Sequence, residues 1–323
     1  MKEINTDVLI VGSGLVGLVA AHCLSALKYN VILVDKKKFN DSGEALKDTR
    51  TVAVSESSKD FLDKLMLWEE LKKHAQPIKN IKVYDRRPSN KIYFENANKD
   101  KKLGYVIENS KFSKILRKRL FKNKNFKTMF GSEVCDVDLN KNSSSTYLNN
   151  KKINAKLIIA ADGKNSFLRK IAGNKIYKKC YSDSALVLNF FHQKPINNTA
   201  YEIFYNTGPL AILPMKTNNN LNLSSIIWSN KNNLVKKLID CENKFISNIV
   251  EERVGGVIGK ILNINSKQVF PLSAHLNDSF INNRLIYIGD SAHSIHPIAG
   301  QGWNLGIKDV KNLNYVFKQY ESR

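Results

Sequence analysis

The chain has 323 residues, 42% hydrophobic and 25% charged, which suits one large α/β domain or two domains and excludes a disordered or fibrous protein. No run beyond Leu27 is apolar enough to span a bilayer, and Cys23, Cys135, Cys180 and Cys241 lie scattered without metal-ligand spacing, as in a reducing compartment. The formal charge of +22 admits an anionic membrane surface, an acidic substrate or coding bias, since Lys, Asn and Ile are enriched together; with no nucleic-acid-binding motif beside it, a nucleic-acid partner is not expected.

Taken in chain order, residues 8–11 read as a buried parallel strand, residues 15–27 as a helix, and residues 31–34 as a second strand ending in Asp35. Gly12, Gly14 and Gly17 between them are spaced as GxGxxG. Gly12 allows the tight turn, Gly14 the close approach of a pyrophosphate and Gly17 the packing of helix on strand, while Asp35 would accept from the ribose of an adenine nucleotide. The rival readings are an ordinary glycine-rich turn, a signal peptide or a membrane span; the motif spacing and the strand–acid sequel argue against them.

After Asp48-Thr-Arg-Thr-Val-Ala-Val comes an amphipathic helix with Phe61, Leu62, Leu65, Met66 and Leu71 on one face, ending before Pro77. Residues 81–84 and 91–94 read as strands around a turn with Pro88 and Asn90. A basic helix follows, with Phe112, Ile115, Leu116 and Leu120 inward, Lys111, Lys114, Arg117, Lys118 and Lys122 outward, and Asn109 or Ser110 as its cap. Residues 126–159 read as strands with an exposed polar turn at 140–150. The strand at 157–161 runs into Asp162-Gly163, and Ser166 and Arg169 follow as a helix begins. Residues 185–191, 201–205, 210–213 and 223–228 are predicted strands, and 234–254 a helical stretch.

Near the end, an apolar strand runs into Gly289-Asp290. A loop with His293, His296 and Pro297 follows, and Gly300, Gly302 and Gly306 open a helix. A Gly-Asp pair lets the backbone approach a ligand and offers one carboxylate to a hydroxyl, and a helix N-terminus offers unpaired N–H groups to negative charge. His-x-x-His without further ligands is poor for a metal, and none is expected; the two histidines shape the loop or act as acid and base. Tyr201, Phe204, Tyr205 and Trp228 either line an apolar pocket or pack a core. The layout predicts an α/β protein with a Rossmann-like domain built from residues 1–77, 97–180 and 270–323. Residues 78–96 and 181–269 insert a mostly antiparallel β-sheet domain for substrate.

The order of Gly12-x-Gly-x-x-Gly, Asp162-Gly163 and Gly289-Asp290 resembles the class A FAD monooxygenases with the p-hydroxybenzoate hydroxylase fold. Asp48-Thr-Arg-Thr-Val-Ala, Gly208-Pro-Leu-Ala-Ile-Leu-Pro and His296-Pro-Ile-Ala-Gly-Gln-Gly-Trp-Asn-Leu-Gly-Ile-Lys-Asp-Val narrow the resemblance, over nearly the whole chain, to the UbiH/UbiF/UbiI hydroxylases of ubiquinone biosynthesis. The resemblance implies that Gly12, Gly14, Gly17 and Asp35 hold the AMP half of FAD and that Arg50 touches the pyrophosphate side. It assigns Asp162 and Gly163, with Arg169 nearby, to FAD and the visiting nicotinamide nucleotide, and Gly289-Asp290 to the ribitol chain. Pro297, Gly300 and Gly302 then lie beside the isoalloxazine ring, with the following helix aimed at N1 and O2, and His293 and Pro297 are the candidate catalytic residues. Pro209 and Pro214 bracket a strand over the substrate, for which Tyr201, Tyr205, Pro209, Leu213 and Trp228 are candidate contacts.

The implied activity is hydroxylation of the aromatic ring of a polyprenylphenol through a flavin C4a-hydroperoxide, with FAD as cofactor, NAD(P)H as reductant and O2 as co-substrate. Two alternatives stand beside it: a hydroxylase of a small soluble aromatic, and a non-catalytic FAD-binding scaffold of a biosynthetic complex. The implied location is cytoplasmic, peripheral on the inner face of the membrane, beside other ubiquinone-biosynthesis proteins. Two departures from the family are Asp35, where many members carry Glu, and the end at Arg323, which omits an expected C-terminal helical segment.

Overall fold

The computed structural model describes residues 1–39, 48–85, 91–98, 101–217, 221–296 and 300–321. Its first sheet has a parallel centre in the order Leu285–Tyr287, Lys151–Ala160, Lys2–Val11, Val31–Asp35, Phe126–Phe130. These strands are continuous apolar runs because both faces are covered. Helices Leu15–Ala26, Asn109–Leu120 and Gln301–Glu321 pack Leu18, Val19, Leu116, Ile307 and Val310 on one face. Strands Val134–Leu139 and Ser144–Leu148 and helix Phe167–Ile171 cover the other through Val134, Leu148 and Leu168. The register pairs Val11 with Ala160 and Ala160 with Tyr287, so three chain segments leave the sheet side by side at its carboxyl edge. That edge is where open α/β sheets bind ligands.

The second sheet is mostly antiparallel, in the order His293–Ser294, Ile261–Asn277, Ile176–His192, Asn222–Lys231, Gly208–Met215, Thr199–Tyr205, Asn80–Asp85, Lys91–Glu95. Side chains alternate between its faces. One face, with Leu186, Phe190, Ile212 and Trp228, is sealed by Val235, Leu238, Ile246 and Val250 of helices Asn232–Asp240 and Asn243–Arg253. The other meets the first sheet's loops: the Asn189 side-chain amide donates to the Thr49 carbonyl at 2.6 Å, and the Arg50 guanidinium lies 5.0 Å from the Phe270 ring centre. A small sheet, Thr51–Ser55, Gly104–Glu108 and Gln76–Ile78, joins the two, with Ile78 and Val106 packed on Ala200 and Met215.

Several local expectations are corrected. The amphipathic helix ends at Lys64, because Leu67 N–H donates to Leu62 and Met66 N–H to Asp63. That Schellman pairing leaves Met66 at φ 57 and 66% exposed instead of on the buried face, and a short helix restarts at Trp68–Leu71. The polar stretch 140–150 contains the strand Ser144–Leu148, whose Ser144 and Thr146 are buried; the Ser144 hydroxyl donates to the Ala155 carbonyl at 2.7 Å. Arg117, expected outward, is buried with its guanidinium 4.4 Å from the Phe39 ring centre. Its helix begins at Asn109 behind Glu108 with no side-chain cap. The stretch 234–254 is two helices, interrupted at Cys241 and Glu242. Strands Ile176–His192 and Ile261–Asn277 each run unbroken across the expected domain boundaries near 180 and 270. The expected turn at Pro88 and Asn90 lies outside the described residues. Among the described residues, no helix is long and apolar enough to cross a membrane.

Candidate functional site

The glycine turn is built to leave room for something. Gly12 has φ +108, and a Cβ there would lie 2.2 Å from the Ala161 carbonyl oxygen; one on Gly17 would lie 2.1 Å from the Gly12 oxygen. These two glycines let strand, turn and helix touch. Gly14 differs: a Cβ there meets nothing within 4 Å, and its φ is −64. No packing reason inside the protein forbids a side chain at Gly14, and the space beside it is open to a ligand. Helix Leu15–Ala26 starts at Gly14 with no side-chain cap and no acidic residue in its first turn, which leaves its first N–H groups available to an anion.

The turn opens into a cleft of about 280 Å³ lined by Gly12, Gly14, Asp35, Ser132, Asp162 and Gly163, among others. Asp35 accepts from the Ser13 N–H at 2.7 Å, the Ser13 hydroxyl at 2.6 Å and the Lys37 N–H at 2.8 Å. It thus clamps the glycine turn from the end of its own strand, and a ribose hydroxyl would exchange with the Ser13 hydroxyl. One Asp162 oxygen accepts from the N–H groups of Phe167 and Leu168 at 2.8 and 3.2 Å, while the other is buried and finds no partner among the described residues. Burial raises the Asp162 carboxyl above its ordinary range, and the hydrogen bonds oppose this. An orphaned buried acceptor beside an open glycine turn fits a nucleotide carrying donors at that point.

The third loop closes the arrangement. Ile288 N–H donates to the Ala160 carbonyl at 3.0 Å, and Gly289, at φ +57, sits against Val16 of the first helix. Asp290 is reachable by solvent but surrounded by protein; burial raises its carboxyl, opposed by His293, Arg50 and Lys164. Gly300, at φ +61, lies where a Cβ would meet Ala53 at 2.9 Å, whereas Gly302 has open space. Arg50 makes a bidentate pair with Asp48 at 2.8 and 2.7 Å while its charge reaches Asp290. The glycine turn, Asp162-Gly163 and Asp290 therefore stand along one edge, with Arg50 near enough to Asp290 to act on its charge.

The structure gives several predicted site residues definite partners. Arg169, expected beside the cofactor, is buried and donates to the carbonyls of Lys164 and Ser291 at 2.8 and 3.0 Å, with His275 at 3.1 Å. It ties the Asp162 loop to the Asp290 loop. His293 is 8% exposed and pairs with Asp309 at 2.8 Å; the same Asp309 oxygen accepts from the Gly289 N–H at 2.8 Å. Its geometry is that of a clasp on the Gly-Asp turn. Tyr201 and Trp228 belong to the core under helices 232–253, and Tyr205 turns the same way, its hydroxyl bonded to the Arg253 carbonyl. All three face away from the first sheet. Leu213 and Pro209 lie on the face that meets it, in register with Ser225 and with Phe204. Pro297 lies outside the described residues.

Two positions were missed. Asn304 donates to the carbonyls of Ala53 and Gly300 and accepts from the Ser55 N–H and the Ser58 hydroxyl, locking the last helix onto strand Thr51–Ser55. Asp309, five residues further along, makes the clasp just described. Both stand inside the signature from His296 to Val310, but five residues place them on different sides of the helix, so no single-face pattern marks them.

Residues 5–319 match the profile of a family described as FAD binding domain. The ubiquinone hydroxylase UbiL of Rhodospirillum rubrum is 30% identical over 309 residues, covering 95% of this chain and 71% of that protein. The mitochondrial ubiquinone biosynthesis monooxygenase COQ6 of Danio rerio is 28% identical over 366 residues, covering 97% and 74%. Among solved structures, p-nitrophenol 4-monooxygenase PnpA of Pseudomonas putida superposes with a TM-score of 0.79 at 18% identity, covering 99% of this chain and 82% of that one.

Proposed function

The chain belongs to the FAD-binding-domain family of class A flavin monooxygenases, in its ubiquinone-hydroxylase branch, and from that premise we propose that it hydroxylates the aromatic ring of a polyprenylphenol on the way to ubiquinone. The single observation that carries the reading is the convergence of three sequence-distant loops, at Gly12, Asp162 and Asp290, on the carboxyl edge of one parallel sheet. A lone glycine motif would serve any dinucleotide enzyme; the added Gly-Asp loops suit an extended flavin nucleotide.

Gly14 and the uncapped helix start would receive the pyrophosphate, Asp35 and Ser13 the adenosine ribose, Asp162 and Asp290 the hydroxyls between the pyrophosphate and the ring, and Gly302 the ring edge. FAD, when bound, supplies the redox chemistry, taking electrons from NAD(P)H and activating O2. The protein's own part is electrostatic and steric. Helix Gln301–Glu321 offers its N-terminal N–H groups to negative charge at the ring, a contribution of about 1–2 kcal/mol in a partly buried site. The sheet face with Val187, Ala211, Leu213 and Ile227 provides an apolar wall that keeps water from the reacting ring and suits a prenylated substrate. With such a substrate, and +22 of net charge, work at an anionic membrane surface beside other enzymes of the same route follows.

The test is purification of the full chain with FAD. The expected result is NAD(P)H oxidation that rises when a prenylphenol is added, and a product one oxygen heavier. Quinone profiling of a strain lacking the protein then identifies the ring position from the intermediate that accumulates. Bound FAD that NAD(P)H never reduces in the presence of prenylphenols would reject the proposal. Turnover with soluble phenols alone would move the substrate class.

A further inference from the structure

On the sheet face turned to the flavin domain, the register aligns one row of side chains across six strands: Ile92, Val83, Glu202, Ala211, Ile227 and Val187. The row starts at solvent, where Ile92 is 57% exposed, and runs through buried Val187, in the strand whose Asn189 is bonded to Thr49, to Gln268 of the next strand. Between Ile92 and Val187 it is apolar except at one place. Glu202 is half-buried and, among the described residues, accepts no hydrogen bond and has no cation within ion-pair distance. A carboxylate left alone on an apolar wall costs stability unless something else binds it. Ala211 beside it is a methyl group flanked by Glu202 and Ile227, which strand spacing sets about 10 Å apart. Between those two longer side chains the wall carries only a methyl group.

We infer that Glu202 accepts the hydrogen bond of the substrate's ring hydroxyl and takes its proton as the ring becomes a nucleophile. The inference rests on the proposed hydroxylase reading. The step breaks the phenol O–H bond and forms a carboxyl O–H bond; the electron pair stays on the ring oxygen, nothing is oxidised, and the proton later passes to water. A more electron-rich ring is the better nucleophile toward an activated oxygen, so the transfer helps only as the reaction proceeds. Burial alone pushes the Glu202 carboxyl up to about 7, which suits a base working near neutral pH. Among the described residues, the same face otherwise meets charge at Asp85 and at Arg50, whose guanidinium lies over Phe270. On the same face, strand Asn80–Asp85 contributes Asp85, opposite Phe204; strands Gly208–Met215 and Asn222–Lys231 contribute Pro209, Ala211, Leu213, Ser225, Ile227 and Ser229; strand Lys91–Glu95 contributes Ile92 and Phe94; and the bridging sheet packs Ile78 and Val106 nearby.

The experiment compares the FAD-loaded wild type with Glu202→Gln and Glu202→Asp. Equilibrium dialysis from pH 5.5 to 8.5 uses a farnesylated phenol and its O-methyl ether, which cannot donate. In the wild type the phenol is expected to bind about 10- to 100-fold tighter than the ether above pH 7, as for a hydrogen bond to a charged group, with the preference shrinking as pH falls. Glu202→Gln should lose that pH dependence and about 10²-fold or more in kcat with its FAD content unchanged, and Glu202→Asp should keep the pH dependence. A Glu202→Gln protein that retains the pH-dependent preference, or turns over within threefold of the wild type, overturns the inference. If no phenol is hydroxylated by the wild type while the preference still follows Glu202, the hydroxylase reading falls and Glu202 stands as the hydroxyl-binding group.

Discussion

Gly14 and Gly17 are three residues apart in one motif, yet the structure gives substitutions there opposite outcomes. Gly17→Ala places a Cβ 2.1 Å from the Gly12 carbonyl oxygen and 3.2 Å from the Ala161 methyl. A carbon–oxygen contact needs about 3.2 Å, so helix and turn must separate by roughly 1 Å at a point where backbone faces backbone. Overpacking of this kind costs about 1–3 kcal/mol, and the better helix propensity of Ala returns at most about 1 kcal/mol. Gly14→Ala meets nothing within 4 Å, at φ −64, so the backbone tolerates it; loss of glycine at the N-cap costs about 1 kcal/mol or less. That methyl, however, fills the space assigned to the pyrophosphate. Apo-protein thermal melts and FAD titration by flavin fluorescence separate the two. Gly17→Ala should lower the melting temperature of the apo-protein, whereas Gly14→Ala should melt near the wild type and bind FAD at least tenfold more weakly. A Gly14→Ala protein that takes up FAD with wild-type affinity would refute the assignment of that space to the cofactor.

Asp309→Asn should loosen the clasp on Gly289 and His293 and weaken FAD affinity without unfolding the protein, since two contacts to one carboxylate oxygen lose their charge; equal FAD affinity and equal flavin spectra in the variant would count against a positioning role. Trp228→Phe should cost roughly 1–3 kcal/mol of stability, by denaturant titration, and leave the KM for substrate unchanged, because Trp228 is 1% exposed in the core on the far side of the sheet with Arg253 stacked 4.7 Å from its ring; a raised KM would return it to the substrate site. His22 is held neutral in the fold, its pKa lowered to about 4 by burial against a bond to the Leu116 carbonyl. The unfolded chain therefore binds the extra proton between about pH 6.5 and 4. Stability should be full above pH 6.5 and fall by up to about 3 kcal/mol as pH drops through that window. His22→Gln should flatten this limb, and an unchanged acid limb in the variant would dismiss the contribution.

What the sequence could show and what it could not divide along a physical line. The loops at Gly12, Asp162 and Asp290 were readable because each needs a backbone that only certain residues supply, and each follows an apolar run that can only be a buried strand. Their convergence followed from the rule that parallel strands end on one edge. The sheet faces were not readable in this way. In strand Thr199–Tyr205, the sequence Tyr201-Glu-Ile-Phe-Tyr carries aromatics on both parities, so alternation alone left core and pocket equally open. Helices 232–253 decide the matter by covering Tyr201, Tyr205 and Trp228, and no local pattern in the strand announces which face they choose. The same holds for His293. A histidine beside a Gly-Asp turn invites a catalytic role, and only the distant Asp309, sixteen residues on and brought back by the last helix, turns it into a brace. Of the expected substrate contacts, Tyr201, Tyr205 and Trp228 therefore fall on the helix-covered face, while Pro209 and Leu213 share the face turned to the first sheet with Ala211, Ile227 and Glu202. A binding wall must leave volume for its ligand, so the side chains that fill most space are the ones least suited to line it.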